Sequence, residues 1–80
     1  MELTPEQRAV MNVFKEHKIT KGDYLAISIL NEERAKLSKN VRDHWEAIIK
    51  SLMESGYITR RDPLGYGLTE MGSKQIQEMQ

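Results

Sequence analysis

One set of polar side chains in this chain has the chemistry needed to read a double helix. The set lies on the outward face of a predicted helix and comprises Lys39, Asn40, Arg42, Asp43 and Lys50. Lysine can donate to guanine edges and asparagine pairs with adenine, while an aspartate can only accept from cytosine. We expect Lys39, Asn40 and Asp43 to face base edges and Arg42, on the flank, to reach a phosphate.

A second set is the adjacent pair Arg60 and Arg61, which precedes a predicted turn. Side chains alternate along a strand, so the two arginines point to opposite faces of the sheet. At the tip of a hairpin they are suited to contact phosphates or a minor groove. The alternative is that they are edge-strand charges, which prevent sheets from pairing with one another and aggregating.

The first set depends on a helix whose other face is apolar. Apolar residues recur at the spacing of a single helical face, namely Val41, Trp45, Ile48, Ile49 and Leu52. Ser38 is a suitable N-cap and Gly56 a suitable stop, so the pattern predicts one continuous helix over 38–55. The polar face has a simpler explanation as ordinary solvated surface, in which Glu46 and Lys50 form a favourable pair four residues apart.

The second set depends on a hairpin that follows this helix directly. Residues 57–59 are strand-favouring, and the Asp62-Pro63-Leu64-Gly65 stretch is rich in turn residues. The chain then returns through 66–69, which predicts a two-stranded hairpin over 57–69. Its Gly65-Tyr66-Gly67 stretch lacks the Lys-Ser/Thr ending of a phosphate-binding loop.

The remaining segments predict three further helices. The first begins at Pro5, with Thr4 and Gln7 forming a capping box. The second is expected to begin after Asp23, to include Tyr24 and Leu25, and to end near Asn31 or to continue through Ala35. A last short helix begins after Thr69. The predicted core is one cluster of apolar residues: Val10, Phe14, Leu25, Leu30, Trp45, Ile48, Leu52, Ile58 and Leu68.

Size and composition limit the class of protein. The chain has 80 residues, 39% of them hydrophobic, which predicts one small globular domain over 1–80. It has no cysteine, no apolar run long enough to span a membrane and no signal-peptide pattern, so we expect a cytoplasmic protein. Formal charge is zero, but residues 34–61 hold seven basic and three acidic side chains. That basic excess shrinks when the window is extended to 31–62.

Catalysis has little support in the sequence. The two histidines, His17 and His44, belong to different predicted helices, and neither has a second ligand at metal-binding spacing. No serine lies in a nucleophile-elbow motif. We therefore expect neither an enzyme nor a bound cofactor or metal.

Helix, glycine stop and hairpin together resemble the winged helix-turn-helix family, in particular its MarR- and PadR-type branch. The resemblance extends over nearly the whole chain and is most specific in three segments: LTPEQ at residues 3–7, GYITRR at 56–61 and GLTEMG at 67–72. It implies an α+β fold with a three-helix core, a two-stranded β-hairpin wing and a short C-terminal helix. The sequence departs from that branch because it shows no long dimerisation helices.

The same resemblance implies a DNA-binding transcriptional regulator of a prokaryote, an archaeon or a phage. Helix 38–55 would enter the major groove of double-stranded DNA, and the wing 57–69 would lie on the backbone. A bare winged helix can instead be a protein–protein interaction module that does not bind DNA. We expect a monomer, or a weak homodimer formed through the apolar residues of the last helix.

Overall fold

Residues 3–79, which the computed structural model describes, form an α+β fold of five helices and three strands. The helices are α1 (Pro5–Glu16), α2 (Ile27–Lys36), α3 (Lys39–Asp43), α4 (Trp45–Glu54) and α5 (Glu70–Glu78). The strands are β1 (Tyr24–Ala26), β2 (Ile58–Arg61) and β3 (Gly65–Leu68). Residues 1, 2 and 80 of the predicted domain lie outside this description.

The start of α1 confirms the predicted capping box. The Thr4 hydroxyl accepts from the Gln7 backbone N–H at 3.1 Å, and the Gln7 side chain accepts from the Thr4 N–H at 2.9 Å. Both donors would otherwise lack a partner in the first turn. The helix then buries Val10, Met11, Val13 and Phe14.

The predicted start of the second helix is wrong. Tyr24 and Leu25 belong to β1, and α2 begins at Ile27 and continues to Lys36, the longer of the two predicted extents. Asp23 does not cap a helix, because its carboxylate accepts from the Thr20 hydroxyl at 2.7 Å and closes the preceding turn. β1 gains its pairing from β3, some forty residues away, which local propensity cannot reveal.

The sheet has three antiparallel strands in the order β1-β3-β2, where a two-stranded wing was predicted. The hairpin itself is present, with Arg60 opposite Tyr66 and Arg61 opposite Gly65. Tyr66 is also paired with Leu25 of β1, so the central strand links the two edges. One sheet face carries Leu25, Ile58 and Leu68, all buried in the core.

The predicted continuous helix over 38–55 is interrupted at His44. The His44 ring Nδ1 lies 2.8 Å from the Asn40 carbonyl oxygen, so Nδ1 carries the proton and donates. The backbone N–H of His44 donates to Arg42 instead of to Asn40. A side chain thereby replaces one helical hydrogen bond, and α4 begins at the next residue.

The predicted apolar face continues from α3 into α4 despite this interruption. Val41 of α3 and the α4 residues Trp45, Ile48, Ile49 and Leu52 are all buried. Ser38 caps α3 and Gly56 (φ 84°) ends α4, as predicted. All nine predicted core residues belong to one cluster, which α5 joins through Ile76.

Candidate nucleic-acid interface

The exposed face of α3 and α4 carries most of the helical residues that the sequence singles out. Lys39, Asn40, Asp43 and Lys50 are exposed, whereas Arg42 is half-buried. The opposite face is anchored in the core by Trp45, whose exposure is 7%. Two lysines, one amide and one carboxylate therefore reach solvent from a rigid, well-packed segment.

Asn40 is not free of local contacts. Its side-chain nitrogen donates to the Glu6 carboxylate of α1 at 2.9 Å. The two residues cross an open groove of about 450 Å³ between the start of α1 and the α3–α4 segment. Gln7 makes a parallel bridge, because its amide donates to the Ser51 hydroxyl at 3.0 Å. To pair with a base, Asn40 would have to exchange Glu6 for the base edge.

Arg42 serves the turn between α2 and α3. Its guanidinium donates to the Leu37 carbonyl oxygen at 2.8 Å, and its own carbonyl oxygen accepts from Arg34 at 2.9 Å. A half-buried guanidinium that is committed to the backbone in this way holds the start of α3 in place. The phosphate contact expected from Arg42 would compete with this bond.

Sequence reasoning missed Arg34. Its guanidinium carbon lies 5.6 Å from the centre of the Trp45 ring, within cation–π range. The same group also donates to the last turn of α3. Arg34 therefore joins α2, α3 and α4 at one point. A basic residue one position before the end of the longer predicted helix is the hint of this in the sequence.

The two hairpin arginines differ in what they contact. Arg60 is exposed, and its Nε donates to the Asp62 carboxylate at 2.5 Å. The hydrogen bond and the negative charge of Asp62 raise the pKa of Arg60 further above its ordinary value. Arg61 lies on the other sheet face and donates to the Gly22 carbonyl oxygen at 2.6 Å, so it fastens β2 to the turn before β1.

The structure brings Arg60, and not Arg61, to the side of the sheet that faces α4. Arg60 is the cross-strand partner of Tyr66. Tyr66 in turn lines a small groove together with Trp45 and Glu46 at the start of α4. The hairpin and the helix thus meet along this groove through Tyr66, the cross-strand partner of Arg60.

The described residues were also compared with the arrangements that hold metal ions. No group of three or more His, Cys, Asp or Glu within residues 3–79 is placed to hold a metal ion. His17 lies 3.6 Å from the Glu33 carboxylate, and His44 contacts a backbone carbonyl oxygen. None of the helices in residues 3–79 is long and apolar enough to cross a membrane.

Comparisons with protein-family models, with curated proteins and with solved structures found no match to this chain.

Proposed function

We propose that this chain is a winged helix-turn-helix domain that binds double-stranded DNA and regulates transcription. The order of helices, the hairpin that follows α4 and the short last helix support the winged-helix assignment, which also accommodates a third strand from β1. In this proposal α3 and the start of α4 enter the major groove, and the β2–β3 hairpin lies along the neighbouring backbone.

The observation that carries the proposal is the placement of cations on two joined elements. Lys39 and Lys50 are exposed on the α3–α4 face, and Arg60 is exposed on the hairpin that meets α4 beside Trp45. Lys39 and Asn40 are the base-reading candidates, since both can donate to base edges. Lys50 and Arg60 are assigned to phosphates, while Arg42 and Arg61 hold the two elements in position.

Acidic residues on the same face set the expected strength of binding. Asp43 and Glu46 are exposed there, and each repels phosphate unless it faces a cytosine amine. One copy with two exposed lysines, an Arg60 that is already paired with Asp62, and two carboxylates should bind random DNA weakly and with a shallow salt dependence.

The direct test is a titration with a short duplex of random sequence at low salt, followed through the amide resonances. Shifts centred on residues 39–50 and 58–66 are expected. Lys50→Gln and Arg60→Gln should each weaken binding and lower the slope of log K against log salt by roughly 0.9. Lys74→Gln, which removes an exposed lysine of α5 outside both regions, is the matched control and should leave the affinity unchanged.

Asn40→Ala tests the base-reading role separately. On a selected site it should cost ~1–3 kcal/mol more than on random DNA, provided that Asn40 contacts adenine bidentately. Equal losses on both DNAs would assign Asn40 to the backbone. An absence of shifts at high protein and DNA concentrations would contradict DNA binding altogether.

A protein-interaction module is the second candidate function. Two observations favour it, namely the carboxylates on the helical face and the exposed apolar side chains of Ile27 and Leu64. A module of this kind would not be retained on heparin at low salt, whereas a DNA-binding domain would be retained and then released as salt rises.

A further inference from the structure

Three of the large apolar side chains that are exposed within residues 3–79 lie around the hairpin and β1. Leu64, at the turn, is 52% exposed, while Ile27 and Tyr24 are each 42% exposed. Ile27 and Leu64 are neighbours, because the Ile27 N–H donates to the Leu64 carbonyl oxygen at 3.1 Å. Tyr24 lies on the other face of the sheet from Leu25 and is separate from this pair.

Ile27 also forms one wall of a groove of about 180 Å³. The apolar lining comes from Ile27, Leu30, Trp45 and Tyr66. The volume equals that of about six water molecules in the liquid, which is enough for a four-carbon side chain. Asn31, Arg34 and Glu46 complete the lining, so the recess is apolar on one side and polar on the other. A projecting leucine therefore stands next to a recess of suitable size, and the two are joined through Ile27.

We propose that this surface, comprising Leu64, Ile27 and the groove, associates with the same surface of a second copy of the chain. In a two-fold arrangement each Leu64 enters the groove of the other copy, since an isologous interface uses one patch twice. The proposal goes beyond DNA binding and does not depend on it. Because the hairpin and Glu46 belong to both proposed surfaces, self-association and DNA binding exclude one another on the same copy.

The charges at the rim of the groove are of both signs. They favour a second copy of the chain over a partner whose surface charges are all positive or all negative. Arg60 and Asp62 lie beside the turn, and Glu46 lines the groove. Two-fold symmetry can place Arg60 of one copy opposite Glu46 of the other. A strongly acidic or strongly basic partner would meet a like charge at this rim, which is destabilising.

The available area predicts weak association. The described chain exposes 5186 Å². Interfaces of small proteins typically bury about a tenth of the surface of each copy. For this chain that is about 500 Å² per copy, near the lower limit for specific complexes. The last helix offers less, because Ile76 is buried within the chain and Met71 is the exposed large apolar residue of α5. We therefore locate self-association at the hairpin and not at α5, where the sequence analysis placed it.

Sedimentation equilibrium of the full chain without DNA, from about 10 μM to about 1 mM, tests this proposal. A concentration-dependent dimer is expected, and Leu64→Asp should raise its dissociation constant at least about tenfold, as should Ile27→Asp at the groove wall. Met71→Asp is the matched control, because Met71 is 53% exposed, nearly the same as Leu64. It should leave the dissociation constant unchanged.

Circular dichroism melts of the three variants show whether each one remains folded. A monomer over the whole concentration range would overturn the proposal. So would a dimer that Met71→Asp weakens as much as Leu64→Asp does. A dimer that persists in both Leu64→Asp and Ile27→Asp would place the contact elsewhere on the chain.

Discussion

At the scale of single residues, the backbone of Lys18 is the most unusual. Its φ is 57°, in the left-handed region that residues other than glycine rarely adopt. The Lys18 N–H donates to the Lys15 carbonyl oxygen and the Ile19 N–H to that of Phe14, each at 3.0 Å. This paired pattern ends α1 and normally has glycine at the position of Lys18. Lysine is thus held there by the hydrogen bonds and by the half-buried Ile19 that follows.

We expect Lys18→Gly to raise the free energy of unfolding by about 0.5–1 kcal/mol, as measured by urea denaturation. Relief of the left-handed strain outweighs the greater entropy of glycine in the unfolded chain. Lys18→Ala removes the same charge but keeps the strain, so it should bring no gain. Equal stabilisation by both variants would attribute the effect to charge and not to backbone conformation.

At the scale of elements, the last helix approaches the sheet through a glycine. A side chain at Gly72 would overlap the Tyr57 carbonyl oxygen and also crowd Leu68. Thr69 caps the same turn, donating through its hydroxyl to the Tyr57 carbonyl oxygen at 3.0 Å and accepting from the Gly72 N–H at 3.0 Å. The glycine that weakens α5 as an isolated helix is what lets α5 pack against the core.

Gly72→Ala should therefore destabilise the fold by roughly 1–3 kcal/mol, although alanine is the better helix former. Thermal or urea unfolding measures the change. Lys74→Ala on the exposed side of α5 is the matched control and should fall within about 0.5 kcal/mol of the unmodified chain. A stabilised Gly72→Ala variant would show that α5 can move away from β2 at little cost.

A second feature at this scale joins the end of α1 to α2. Glu33 accepts from Lys36 at 3.1 Å and lies 3.6 Å from the ring of His17. The hydrogen bond from Lys36 is the main cause that lowers the pKa of Glu33 below its ordinary value of 4.5, and His17 acts in the same direction. A carboxylate whose pKa is lower in the folded state stabilises the fold above the unfolded-state pKa, and this contribution is lost as pH falls through the folded-state pKa.

The stabilisation that Glu33 gives relative to Glu33→Gln should thus be present above pH 4.5 and shrink as the pH falls below it. Urea denaturation at a series of pH values measures it. When the same comparison is made in a Lys36→Gln background, most of the pH dependence should disappear. A difference that does not change with pH would mean that the contacts of Glu33 do not persist in solution.

The features of the fold that were predicted correctly from the sequence are those that depend on interactions between residues close together in the chain. The Thr4–Gln7 box, the Ser38 cap, the Gly56 stop and the turn over 62–65 each depend on neighbours within a few residues. β1 was missed because three residues gain strand geometry only from distant β3. The break at His44 was missed because its ring, and not its backbone N–H, bonds the Asn40 carbonyl oxygen, which an apolar periodicity does not reveal. The backbone role of Arg42 was missed because it depends on the turn that places the Leu37 carbonyl oxygen within reach.

At the scale of the whole molecule, the charges balance. The chain has 12 basic and 12 acidic residues and an isoelectric point near 6.7, so net charge gives no general attraction to DNA. Any affinity must arise from where the charges lie. Glu46 is the sharpest test, because it is exposed at the start of α4, on the face proposed to contact DNA.

Glu46→Gln and Glu78→Gln change the net charge by the same amount, but Glu78 lies at the end of α5. If α3–α4 contacts DNA, only Glu46→Gln should tighten binding to random duplex at low salt. Removal of a charge repulsion of about 1 kcal/mol corresponds to roughly fivefold in affinity. The gain should fade as added salt screens the charges. Equal gains from the two variants would mean that binding follows overall charge, and no gain from either would contradict a DNA contact at the start of α4.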